Sequence, residues 1–382
     1  MTSSRCLLAA LVLLAAAPSS AAPPCPVDRV AVRDGRVTAA EAADGVAAIV
    51  RDAVGPLRLQ AALAGYAFGD APARLFAAGE SMTGVPATPD MRFRSGAVAI
   101  AYLGTLLLQL ADAGTLGLDA PLATWFPDYP KADRVTLAML IRGTSGYADY
   151  VTDDGFLAAF HADPFRAWTP EELIAIGLAR PMACEPGTCW SYAHTNFVIL
   201  GQVLEKATGR PLDALLRAGV LDPLGLADTR SETTAAIPEP VLHAFDAERG
   251  RYEESTFWNP SWTLARGAVM TSTIADILTS AAAIGEGTLV SPAAHALQVD
   301  PSTAKFPPWS ANRYYGMGVF LIDGWTVQNP SFAGYAATMA YLPARRLAIA
   351  TSVTVRDQAA DGNLSTELLR RIAAYLAPEA PL

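Results

Sequence analysis

Fourteen residues, Ala97 to Leu110, run without a charge. A bilayer span needs about 20 apolar residues. This stretch is too short to cross a membrane and reads as a helix buried inside a globular fold. It stops near Ala113-Gly114, where glycine favours a helix end. Such a helix must be covered by other elements. The chain is long enough to cover it, with 382 residues, room for one large two-lobed unit or two small domains.

The first 22 residues have the makeup of a secretory leader. Arg5 is their only charge, Cys6 to Ala17 is apolar, and Ser20-Ala21-Ala22 offers a small-residue cleavage site. Pro23 and Pro24 before Cys25 fit a lipoprotein cleavage box poorly. The expected mature protein, residues 23–382, is exported to the periplasm or secreted, with no membrane span. Loss of Arg5 moves the formal net charge from −9 to −10. An acidic chain without a Lys/Arg run lacks the electrostatic footprint of a nucleic-acid binder. Lysine is scarce, with Lys131, Lys206 and Lys305 only. The Pro186-Gly187 turn can bring Cys184 and Cys189 within bridging range in an oxidising compartment. A Cys184–Cys189 disulfide is expected, with two reduced buried thiols as the other reading. The four histidines are scattered and no Cys/His spacing marks a metal site. No metal or other cofactor is expected.

Period and punctuation give the remaining elements. Helices are expected over Ala40–Val54, Asn196–Thr208, Ser272–Ile284 and Leu364–Leu376. Strands are expected over Leu57–Ala67, Arg74–Ala78, Tyr314–Ile322 and Ala336–Val355. Strands near both ends with helices between them point to an α+β fold.

Several phrases occur along the chain in a fixed order. They are Phe93-Arg94-Ser95-Gly96, Thr136 to Gly146, Glu185 to Asn196, Asp222-Pro223-Leu224-Gly225-Leu226, Tyr315-Gly316-Met317-Gly318 and Tyr341-Leu342-Pro343. Together they resemble the penicillin-recognising serine hydrolases: class C β-lactamases, D-alanyl-D-alanine carboxypeptidases and related esterases. The landmarks run from about residue 86 to about 352. The resemblance implies an antiparallel sheet flanked by the terminal helices, an inserted helical lobe, and a site between lobes. On that basis residues 1–22 are a leader and 23–382 one domain. Its sheet lobe takes about 40–95 and 266–380, and its helical lobe about 96–265.

The catalytic phrases of the family are altered here. In S-x-x-K the serine position is Ala97 and the lysine position is Ile100. A methyl group cannot attack a carbonyl, and a sec-butyl group cannot take a proton from a nucleophile. In Y-x-N, Tyr192 is kept and the asparagine position is His194. The last motif, H-x-G or K-x-G, aligns with Gln328-Asn329-Pro330. Proline there adds bulk and removes an N–H, and glutamine removes the cation that would hold a carboxylate. Ala97, Ile100, Tyr192, His194, Gln328 and Pro330 are thus expected to line a cleft, with no catalytic residue assigned.

Three local alternatives have plainer readings. Ser95 is expected to cap the helix that follows it. Ser302-Thr303-Ala304-Lys305 matches S-x-x-K by letters, at a distant point in the chain. Gly143-Thr144-Ser145-Gly146 reads as a turn. The leading expectation is a pseudoenzyme that has lost serine acylation and holds a small molecule or peptide non-covalently. The alternatives are an active hydrolase or esterase with a relocated nucleophile, and a structural or partner-binding module.

Overall fold

Alternation in the long C-terminal strands sets the architecture. The computed structural model describes residues 30–32, 35–231, 234–357 and 362–382, so the expected leader and Cys25 lie outside the described residues. In order, the elements used below are α1 (Ala39–Ala53), β1 (Leu59–Phe68), β2 (Arg74–Met82), β3 (Val85–Pro86), α2 (Val98–Asp112), α3 (Leu137–Arg142), α4 (His194–Thr208) and α5 (Ile274–Glu286). They are followed by β4 (Arg313–Tyr315), β5 (Phe320–Ile322), β6 (Trp325–Gln328), β7 (Ser331–Phe332), β8 (Tyr335–Leu342), β9 (Leu347–Val355) and α6 (Leu364–Leu376).

In β8, Tyr335, Ala337, Met339 and Tyr341 face one apolar core, while Ala336, Ala340 and Leu342 face a second. β9 divides likewise, with Ala348 and Ala350 on one side and Leu347, Ile349 and Val353 on the other. A sheet buried on both faces needs a layer of helix on each. α1 and α6 cover one face. α5 packs on the other, and α2 continues that core into the helical region. The sheet is antiparallel in the order β4-β5-β6-β8-β9-β1-β2-β3, with β7 added beside β8. The fold is α+β, as the sequence leads one to expect.

Local chemistry explains the ends of the elements. Thr38 and Glu41 form a reciprocal capping box at the start of α1. Asn363 caps α6 by accepting from Thr366 N. The expected continuous strand Tyr314–Ile322 is instead a hairpin, β4 and β5, broken at Gly316-Met317-Gly318. Gly318 has φ +82°, a left-handed conformation that no extended strand contains. Ser95 does not cap α2. Its hydroxyl donates to the Met270 carbonyl at 3.2 Å, and α2 starts at Ala97 with no side-chain cap. A small sheet pulls Ser95 away, since Phe93–Arg94 pairs with Met270–Ser272.

Cys184 and Cys189 are bridged, with Cα atoms 6.2 Å apart. The bridge closes a loop that runs along residues 143–146, through Ala183 N to Gly146 O, Gly187 N to Thr144 O and Ser191 N to Gly143 O, each 2.8 Å. For so short a loop, chain-entropy arguments give about 2 kcal/mol of stabilisation. Replacing both cysteines by alanine should lower the unfolding free energy by about that amount in urea titrations.

The tightest packing of α2 is against backbone. A Cβ added at Gly104 would lie 2.3 Å from the Met317 carbonyl oxygen. At an exposed helical site, Gly→Ala stabilises by about 1 kcal/mol. Here overpacking of about 1–3 kcal/mol opposes that gain, and the obstacle is backbone. Gly104→Ala should therefore destabilise the protein by up to about 2 kcal/mol, read from the urea midpoint. An increase in stability would show that α2 and the 316–318 turn are not in contact.

Candidate functional site

The strand line β6–β7 is interrupted at Asn329-Pro330, and the interruption faces the start of α2. A cavity of about 340 Å³ lies in this gap. Gly96 and Ala97 line it on one side and residues 328–332 on the other, with Trp190, Tyr192, His194, Trp262 and Phe320 between them. Five of the six expected residues meet here: Ala97, Tyr192, His194, Gln328 and Pro330.

Ile100 does not line the cavity. It is fully buried in the core around α2, and a Cβ on Gly318 would lie 2.5 Å from its carbonyl oxygen. Expecting it in the cleft overlooks how closely the 316–318 turn sits on α2.

Gln328 lines the cavity with its amide already committed. Its Nε2 donates to the Gly318 carbonyl at 2.9 Å, and its Oε1 accepts from Asn329 N at 3.0 Å. Pro330 fills space in front of α2. A Cβ on Gly96 would fall 2.6 Å from Pro330 Cβ, and Gly96 itself has φ +48°. Only glycine meets both conditions without strain. The Pro330 carbonyl accepts from Ala337 N at 3.0 Å and from Asn363 Nδ2 at 2.7 Å, which ties the interruption to the cap of α6.

Tyr192 and His194 stand side by side, ring centroids 5.2 Å apart, edge to face. Burial first, then the neighbouring Tyr315 and Asp149, pushes the Tyr192 phenol well above its ordinary value. It stays protonated near neutrality and can donate a hydrogen bond, but it is no base. His194 opens α4, and its Nδ1 lies 3.0 Å from Asp149 Oδ2 and 3.2 Å from Oδ1. Asp149 Oδ1 also accepts from His194 N at 3.1 Å and Val151 N at 3.2 Å. This Asp149–His194 pair is absent from the sequence reading. The partners are 45 positions apart, so no helix or strand period relates them. Beside the His194 imidazole, the rings of Trp190, Tyr192, Trp262, Phe320 and Phe332 line the cavity.

The serines weighed from the sequence are committed or distant. Ser145 is buried, with its hydroxyl 2.6 Å from Asn196 Oδ1. Ser302 and Lys305 line a separate cavity with Arg142. Ser302 sits in the 3₁₀ turn Pro301–Thr303, and Lys305 Nζ lies 5.0 Å from the Phe306 ring centroid. Among the described residues, no group of three His, Cys, Asp or Glu could hold a metal, and no helix is long and apolar enough to cross a membrane.

A family model described as Beta-lactamase matches residues 30–374. The chain belongs to the beta-lactamase family. It is 36% identical over 166 residues to Penicillin-binding protein 4 of Amycolatopsis lactamdurans, a match covering 42% of this chain and 40% of that protein. It is 31% identical over 156 residues to Esterase EstB of Burkholderia gladioli, covering 38% and 40%. The chain thus spans about 40% of the length of each of these relatives. Among solved structures, a D-stereospecific amidohydrolase from Streptomyces sp. superposes with TM-score 0.76 at 25% identity, over 87% of this chain and 99% of that one. D-amino acid amidase from Ochrobactrum anthropi SV3, complexed with L-phenylalanine amide, shares the fold with TM-score 0.75 at 22% identity, over 87% and 97%.

The burial of Ile100 decides what restoring the family's S-x-x-K letters would do. A lysine there loses hydration inside an apolar core, so its pKa falls below the ordinary value of about 10.4. Between the lowered folded value and the unfolded one, the unfolded chain binds more protons, so stability rises with pH across that window. Ala97→Ser with Ile100→Lys should lose roughly 3–5 kcal/mol at neutral pH and recover part of it toward pH ~10. Urea unfolding at several pH values tests this. A variant as stable as the parent at pH 7 would place residue 100 beside water or a carboxylate.

Proposed function

We propose that this chain is an exported beta-lactamase-family protein that carries out no serine acylation at the S-x-x-K positions. Its cleft holds an uncharged, ring-bearing ligand without a covalent bond. The observation that carries the reading is the methyl group of Ala97 on the cavity wall, with Ile100 sealed in the core behind it. Neither residue can supply a nucleophile or take a proton from one.

The walls support the ligand class. Among the described residues, five aromatic side chains line the cavity, and no Lys, Arg, Asp or Glu does. A ligand carboxylate would be desolvated there without the cationic partner it needs. A flat apolar group would meet rings offering edge and face contacts. The cavity is within the usual range for small-molecule sites, about 300–1,000 Å³. The neighbouring amidase was solved with L-phenylalanine amide and with phenylalanine, which share a ring and differ in charge. Export is supported by the leader-like composition of residues 1–22 and by a disulfide, which persists in oxidising compartments. We read residues 23–382 as one unit, because β1 and β9 pair along their length although they come from opposite ends of the chain.

Two measurements test this reading on the purified chain. Incubation with benzylpenicillin should leave the intact mass unchanged, whereas a gain of one antibiotic mass ends the proposal. Titration with phenylalanine amide analogues capped at the amine, hence uncharged, should quench tryptophan fluorescence from Trp190 and Trp262. Analogues bearing a free carboxylate should bind at least tenfold more weakly, and tighter binding of the carboxylates would refute the ligand class.

A further inference from the structure

The Asp149–His194 pair has no counterpart in the altered S-x-x-K and H-x-G positions, and its geometry suits a task of its own. The Asp149 side chain is 12% exposed and that of His194 21%. Asp149 is fixed by the two backbone N–H groups it accepts from, Val151 and His194. Arg180 stands behind it, donating to the Asp149 carbonyl and lying 3.9 Å from Asp153. A carboxylate at Nδ1 fixes the tautomer of a neutral imidazole: the proton sits on Nδ1, and Nε2 keeps its lone pair. His194 lines the cavity, and its Nε2 has no protein partner among the described residues.

Two residues that line the same cavity carry donors without acceptors. Among the described residues, the Tyr192 hydroxyl has no protein partner, and neither does the backbone N–H of Ala97. The hydroxyls near His194 are spoken for: Thr195 donates to Ala148 O at 2.6 Å and Thr263 to Pro260 O at 2.8 Å. Ser331 is exposed at the cavity, and no hydrogen bond joins it to His194. A base, two donors and no attached nucleophile leave water as the attacking group.

We propose that His194, held by Asp149, is a general base that activates water for direct hydrolysis of an uncharged ester bound in the cleft. This rests on the reading above that the cleft takes an uncharged ligand without acylation. The water oxygen bonds to the ester carbonyl carbon as one water proton passes to His194 Nε2. The carbonyl π electrons move onto its oxygen, which the Ala97 N–H and the Tyr192 hydroxyl stabilise. Collapse breaks the bond to the leaving oxygen, which takes the proton from His194. A carboxylic acid and an alcohol result, and the imidazole is again neutral. His194 is the catalytic residue and Asp149 a positioning residue.

The test follows 4-nitrophenyl butyrate hydrolysis by the purified chain, with intact-mass sampling during turnover. We expect saturable hydrolysis with no acylated protein, a solvent deuterium isotope effect on kcat, and loss of rate on acidification. His194→Gln should lower kcat at least tenfold, while His161→Gln, a histidine paired with Glu248 elsewhere, leaves it unchanged. Asp149→Asn should lower kcat with little change in KM and alter the pH profile, which a merely structural role would not do. A folded His194→Gln protein that hydrolyses at the parent rate, or a parent no faster than His194→Gln, overturns the inference and leaves the binding proposal intact. If His194→Gln does not fold, the isotope effect on the parent decides, and its absence is a negative result. Acylated protein, on Ser331 or elsewhere, overturns both proposals.

Discussion

The close approach of the α2 backbone to the turn at residues 316–318 is the constraint on which the rest of the molecule depends. Gly104 leaves room for the Met317 carbonyl, and Gly318 leaves room for the Ile100 carbonyl. Two residues without side chains, on opposite partners, let helix and turn meet without intervening atoms. That contact sets the height of the first turn of α2 relative to β4 and β5, which flank the turn, and to β6 beside β5. Gly96 and Ala97 are thereby placed opposite the interruption at Asn329-Pro330, and the gap between them is the cleft. Loosening the contact would move the floor of the site as well as weaken the core.

The altered positions form a mutually consistent set. Ile100 contributes apolar area to the core where a lysine would need water or a partner. Gln328 uses its donor on Gly318 O and its acceptor on Asn329 N, so it stabilises the 316–318 turn from the strand side. Pro330 packs on Gly96, and its carbonyl is gripped by Asn363 at the start of α6. Ile100 is turned into the core, and the Gln328 amide, although at the cavity, is engaged by the protein. Changing one of them back would leave the others in place, and buried groups that share partners do not respond additively.

Much of the fold was legible because it rests on local patterns. The apolar run of α2, the Thr38–Glu41 box and the Pro186-Gly187 turn between cysteines are each visible within a few residues. The α6 boundaries, Leu364–Leu376, coincide with the expected ones. The hairpin break at Gly316-Met317-Gly318 was present in the letters. Its meaning, that a helix backbone passes there, depends on residues some 200 positions away. Ser95 fails for a similar reason: serine before a helix favours capping, but pairing of Phe93–Arg94 with Met270–Ser272 turns its hydroxyl to the Met270 carbonyl. In the site, motif positions could be found by order and spacing. Their facing could not, as Ile100 shows, and no periodicity links Asp149 with His194.

The electrostatics of the cleft turn on that hidden pair. His194 sits at the first position of α4, where unpaired backbone N–H groups carry partial positive charge. Asp149 answers that charge directly by accepting from His194 N, so its carboxylate serves the helix start and the imidazole together. A second anion brought into the cavity would meet a carboxylate already engaged, and among the described residues no lysine or arginine lines the walls to offset it. On the proposed reading, discrimination against acidic ligands would need no dedicated repulsive group. It would follow from an aspartate placed to hold a helix start and from aromatic walls that provide no counter-charge.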